Sequence, residues 1–109
     1  MKGKNLTAKD FYLTGLSRIA SGNFPGAIEA FQKALAEDGQ FFMARLGWSQ
    51  VLDRQGRIDE AIVQAKMAIE LVPEEPLAHT SLSRLFQQKG MIAEAEEEMA
   101  LSQSLQKSE

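Results

Sequence analysis

Cysteine is absent from the 109-residue chain, and histidine, tryptophan and tyrosine occur once each. Without cysteine there is no disulfide framework and no thiolate chemistry. A single histidine argues against a transition-metal site, which draws its ligands chiefly from Cys, His and carboxylate groups. Basic residues are outnumbered 12 to 15, for a formal net charge of −3. That balance argues against nonspecific binding to nucleic acid or anionic membranes, which needs a basic surface. No apolar run approaches the roughly 18 residues of a membrane span. The opening MKGKNLTAKD has no apolar stretch behind it, so it does not read as a secretory signal. A cytoplasmic setting is the expectation. Period-2 alternation is missing too, which predicts no strands. No glycine-rich phosphate loop occurs, and no motif places a histidine beside a serine, so neither cofactor nor catalysis is expected.

What the sequence does contain is a triplet that returns every 34 residues. Gly22, Gly56 and Gly90 are each followed by a bulky apolar residue (Phe24, Ile58, Ile92) and then by an alanine (Ala27, Ala61, Ala95). The stretches read GNFPGA, GRIDEA and GMIAEA. Between them lie amphipathic stripes. Thr7 and Asp10 open a first helix in the manner of a capping box, and it runs to about Ser21. Pro25 sits in the first turn of a second, where proline is tolerated. That helix carries Ala27, Ile28, Phe31, Ala34 and Leu35 and ends near Glu37.

The plan then repeats. A helix from about Gln40 to Gln55 is followed by one that Asp59 is placed to cap, ending near Val72. Pro76 fits the first turn of the next, which ends near Lys89. A last helix begins near Ala93 and fades into QKSE. Helical hairpins joined by short turns cannot bury their stripes alone, and stacking them makes a continuous core. The predicted fold class is therefore all-α: three hairpins, six helices, no strands. Residues 1–6 form an arm, 7–106 one domain with units at 8–41, 42–75 and 76–106, and 107–109 a frayed end.

The 34-residue register resembles the tetratricopeptide repeat family. In the first unit Phe11, Gly15, Gly22, Phe24, Ala27, Phe31 and Ala34 match the family's pattern. In the second, Gly56, Ile58, Ala61, Ala68, Leu71 and Pro73 do so, and in the third Leu82, Phe86, Gly90, Ile92 and Ala95. Arg18 departs from a common tyrosine, Ser49 and Ser83 from a glycine or alanine, Ala65 from an aromatic residue, and Ser102 from an alanine. The resemblance implies an α-solenoid with a short right-handed superhelical twist, and a non-catalytic adaptor that captures a peptide or partner helix in a concave groove.

Carried over residue by residue, the groove comprises Tyr12, Leu16 and Ile19 from the first unit. The second supplies Met43, Leu46, Gln50 and Arg54, and the third Leu77, Ser81, Arg84 and Gln88. Lys9, Leu13, Gly47, Asp53, Thr80 and Gln87 lie on the same face. An apolar anchor is expected near Tyr12, Leu16 and Leu46, with polar holding groups at Gln50, Arg84 and Gln88. Family members that clamp the carboxylate tails of chaperones use Lys, Asn and Arg. The matching positions here are Tyr12, Leu16, Gly47, Leu77 and Ser81, none of which can do that chemistry.

The remaining candidates read as structural. Trp48 is expected to pack between units, and His79 to have a structural or solvated role. Glu94, Glu96, Glu97 and Glu98 spread around a helix at about 100° per residue, which predicts a solvated outer face. The last helix leaves Met99, Leu101 and Leu105 without a neighbour on one side. Either an oligomer contact covers them, as a two-fold homodimer or as head-to-tail stacking guided by a basic N-terminal third and an acidic C-terminal end, or the protein is a monomer whose last helix frays. A subunit role in a larger enzyme or secretion complex is the other alternative. The partner otherwise expected is a protein or peptide.

Overall fold

The computed structural model describes residues 5–107. Six helices follow one another: α1 (Ala8–Ala20), α2 (Phe24–Glu37), α3 (Phe42–Arg54), α4 (Ile58–Leu71), α5 (Pro76–Gln88) and α6 (Ile92–Lys107). No strand occurs among the described residues. The radius of gyration is 14.7 Å, above the about 13 Å of a compact domain of this length. The extents of 55 × 32 × 19 Å fit a stack of hairpins.

Each hairpin turns on its repeat glycine. Gly22, Gly56 and Gly90 have φ of 80°, 77° and 79°, a left-handed backbone that costs other residues about 1–2 kcal/mol. Nothing lies within 4 Å of a Cβ built there, so the constraint is the backbone and not space. The turn places the next N–H back on the helix: Asn23 donates to Arg18 O at 2.8 Å, Arg57 to Leu52 O at 2.8 Å and Met91 to Phe86 O at 2.9 Å. These bonds satisfy carbonyls that the ending helix would otherwise leave bare.

Helix starts are less uniform. Thr7 and Asp10 form a reciprocal capping box on α1, and Asn23 accepts from Gly26 N on α2. Two expected starts shift. α3 begins at Phe42, because Asp38 and Gln40 are tied in a preceding turn. α4 has Arg57 at its N-cap with no side-chain capping bond, and Asp59 falls inside the first turn, where its charge still suits the helix N-terminus.

The packing between hairpins is keyed by residue size. The Phe31 ring is fully buried, between Gly15 of its own hairpin and Gly47 of the next. A Cβ on Gly15 or Gly47 would lie 2.4 or 2.6 Å from that ring. One repeat later, Ala65 takes the place of Phe31, and Ser49 and Ser81 take the places of the two glycines. Ser49 Oγ there donates to Ala61 O at 2.8 Å, and Ser83 Oγ repeats the bond to Ala95 O at 2.7 Å in the third hairpin. A ring with two glycines and a methyl with two serines are alternative fillings of the same slot.

The two ends of the stack break the pattern. Ala44, Trp48 and Val51 of α3, and Leu82 and Leu85 of α5, pack onto the hairpin before them, and Ala78 of α5 is fully buried. The same repeat positions in α1 are Asp10, Thr14 and Ser17. Ile28 and Leu35 of α2, and Ile62 and Ile69 of α4, pack onto the hairpin after them. In α6 those positions are Glu96 and Gln103, both exposed. The apolar end expected at Met99, Leu101 and Leu105 is thus flanked by polar residues. Leu101 is 47% exposed, but Met99 and Leu105 are half-buried and the gripping positions around them are polar.

Candidate functional site

The backbones of α1 and α3 approach each other, as do those of α3 and α5, while α2, α4 and α6 make no mutual approach. The stack therefore curves with α1, α3 and α5 on its inner side. A cleft of about 250 Å³ opens there. Tyr12, Met43, Leu46 and Leu77 give it an apolar side, and Gln50, Asp53, Ser81 and Arg84 a polar one. Its depth has a local cause. Gly47 and Ser81 occupy the position at which α1 carries Leu13, a side chain 50% exposed. Small residues hollow the surface over α3 and α5, and leucine fills it over α1.

Of the groove residues expected from sequence, Tyr12, Met43, Leu46, Gln50, Leu77, Ser81 and Arg84 come together at this cleft. Arg54 and Gln88 are exposed but do not line it. Ile19 is corrected: it is 8% exposed and packs in the first core with Ala27, Phe31 and Val51. Leu16 is half-buried against the same core. Tyr12 meets Phe41, at the N-cap of α3, edge-on at 5.5 Å, and burial raises its phenol pKa. The centre of the cleft thus lies between α3 and α5, not over the Tyr12–Leu16–Ile19 patch.

The polar candidates behave differently from their sequence reading. His79 is 6% exposed. Its Nε2 donates to Pro73 O at 2.8 Å and its Nδ1 meets Glu98 Oε1 at 2.7 Å. Glu98 is therefore withdrawn from the solvated outer face expected for it, while Glu94, Glu96 and Glu97 are exposed there. The pair has a counterpart one repeat earlier, where Arg45 Nη1 donates to Gln64 Oε1 at 2.9 Å. In the first hairpin the same two positions are Phe11 and Ala30. These are framework contacts between the two helices of a hairpin.

Sequence reasoning missed a second recess, of about 360 Å³, between α2 and α4. Ile28, Trp48, Leu52 and Val63 give it apolar walls, with Gln32 and Gln64 beside them. Trp48 packs between the first two hairpins, as its position implied, and Arg45 lies 5.7 Å from its ring. At the rim Arg57 makes a two-point contact with Glu60, 2.8 Å on each arm, and holds that exposed carboxyl below its usual range. Among the described residues, no cluster of His, Cys, Asp and Glu could hold a metal ion, and no helix is long and apolar enough to cross a membrane.

The fold has close counterparts among solved structures. MamA is 24% identical over 94% of this chain and 60% of its own, with a TM-score of 0.87. The chain thus spans about three fifths of that protein. The type III secretion translocator chaperone SycD of Yersinia enterocolitica, solved with a peptide of the translocator YopD, is 26% identical. That match covers 89% of this chain and 74% of SycD, with a TM-score of 0.82. The second repeat domain of Spaghetti, bound to the HSP90 peptide SRMEEVD, is 19% identical over 91% of this chain and 92% of its own, with a TM-score of 0.83. No curated protein matches the sequence. A family model described as tetratricopeptide repeat matches residues 18–85, and the chain belongs to that family.

Proposed function

We propose that this protein is a non-catalytic adaptor that captures a segment of a partner protein in the cleft between α3 and α5. The observation that carries the reading is the cleft itself: Gly47 and Ser81 open it between Leu46 and Leu77, with hydrogen-bonding groups at Gln50 and Arg84. An apolar side chain buried there contributes roughly 25 cal/mol per Å² before ordering costs. Similar folds support it, since SycD and Spaghetti were both solved with peptides. The positions that would clamp a chaperone carboxylate tail are Tyr12, Leu16, Gly47, Leu77 and Ser81. A tail bound only through its terminal carboxylate is not expected to bind here.

Self-assembly through Met99, Leu101 and Leu105 has less behind it, because Glu96 and Gln103 stand beside them where a continuing stack needs apolar residues. Photo-crosslinking tests the adaptor reading. A crosslinker at Leu77 is expected to trap the partner, and one at Glu70 on the outer layer is not. Partner trapped only at position 70 would sink the groove assignment.

A further inference from the structure

Charge divides between the two layers of helices. The inner helices α1, α3 and α5 carry five basic residues (Lys9, Arg18, Arg45, Arg54, Arg84) and two acidic ones (Asp10, Asp53). The outer helices α2, α4 and α6 carry three basic residues (Lys33, Lys66, Lys107) and nine acidic ones. A chain of net charge −3 therefore has a cationic inner layer and a strongly anionic outer one.

Part of the inner charge is already engaged. Arg18 donates to Gly26 O at 3.0 Å and lies 3.9 Å from Glu29. Arg45 is held by Gln64 and the Trp48 ring. Asp10 belongs to the capping box at Thr7. Lys9, Arg54 and Arg84 remain exposed, with no ion-pair partner among the described residues. One acid, Asp53, shares the cleft with Arg84. The cleft volume of about 250 Å³ falls below the roughly 300–1,000 Å³ of small-molecule sites. It suits one bulky side chain of a longer segment.

We infer that the occupant is an acidic segment of a partner protein that places one bulky apolar side chain beside Leu46 and Leu77 and a carboxylate on Arg84. The inference rests on the groove reading above. Apolar burial holds the segment, and charge selects the face. The cationic inner layer attracts an acidic chain, and the anionic outer layer repels it from the recess near Trp48. Guanidinium is well suited to the task, because its forked donors match a carboxylate.

Selection of random dodecapeptides displayed on phage, against the full immobilised chain, tests the proposal. Enriched peptides are expected to carry more Asp and Glu than Lys and Arg, and at least one bulky apolar residue. Ser81→Leu should abolish their binding. It fills the cleft without changing charge, and α1 already carries leucine at that repeat position. Leu77→Ser, at an exposed site, is the second cleft variant if the first loses its helical signal. Arg84→Gln should weaken a synthetic copy of the leading peptide roughly five-fold, the scale of an exposed ion pair, and added salt should weaken it in parallel.

Cleft-dependent peptides that are neutral or basic would overturn the acidic partner and leave the groove reading standing. So would acidic peptides indifferent to both Arg84→Gln and salt. Peptides that bind the cleft variants as well as the parent, or no enrichment over an unrelated immobilised protein, would overturn the groove reading and this inference together.

Discussion

Gly47→Ala is the most informative single change, because two terms of opposite sign meet there. A helical glycine replaced by alanine ordinarily stabilises a protein by about 0.5–1 kcal/mol. Here the new Cβ would lie 2.6 Å from Cζ and 2.8 Å from Cε1 of Phe31. Ordinary carbon contacts begin near 3.4 Å, so the ring would have to retreat by most of an ångström. It has nowhere to go: Phe31 is fully buried, and the Gly15 backbone bounds it on the far side. Overpacking of this kind costs about 1–3 kcal/mol. The expected net is a loss of about 1–2 kcal/mol, read from urea unfolding followed by Trp48 fluorescence and far-ultraviolet circular dichroism. In a Phe31→Leu background the clash is relieved, and Gly47→Ala should become neutral or stabilising. The change of sign is the test, since a double-mutant cycle isolates the coupling. A Gly47→Ala protein as stable as its parent, with Phe31 in place, would refute the wedge.

Other outcomes follow from single contacts. Tyr12 is the sole tyrosine, and burial raises its pKa. A raised folded value means the stabilisation is fully present below the ordinary phenol range near 10 and is lost as pH climbs through the folded value. Phenolate absorbance should titrate later in the folded chain than in urea, and equal midpoints would contradict its burial. His79→Phe leaves Glu98 half-buried and Pro73 O without its donor, at a cost of about 2–3 kcal/mol. The double change His79→Phe with Glu98→Ala copies the Phe11–Ala30 pair of the first hairpin and should recover most of that loss in thermal unfolding. Glu96→Ile with Gln103→Ile gives α6 the gripping residues of α2 and α4. Light scattering should then show stronger concentration-dependent association than in the parent.

The fold was legible because three features agree at every level: the glycine that permits the turn, the alanine five residues on, and the apolar stripe between. Agreement of local and global preference is what a sequence needs to specify one structure. The cleft residues were legible by repeat position, and Met43, Leu46, Leu77 and Arg84 do meet there. Ile19 was not legible as core, because its repeat counterparts are polar: Asp53 lines the cleft and Gln87 is exposed. The inner face of α1 is apolar for a different reason from that of α3, and one sequence alone does not separate apolar residues that pack from those that bind. Glu98 was hidden in a run of glutamates, and only its repeat counterpart Gln64, paired with Arg45, singles it out. The charge division between layers was also readable, but only when charges are counted by helix and not by position along the chain.

The wedge of Phe31 also fixes the order in which these hairpins can stand. A second copy of the first hairpin placed behind itself would put Leu13 where Gly47 now lies, against a ring with no space to yield. The third hairpin, with Glu96 and Gln103, would present charge and amide to any follower. Only the middle unit has apolar faces on both sides and small residues at the slot. An array built from these parts could therefore lengthen only by duplication of residues 42–75, which makes the outer two hairpins fixed ends and the middle one the sole site of growth.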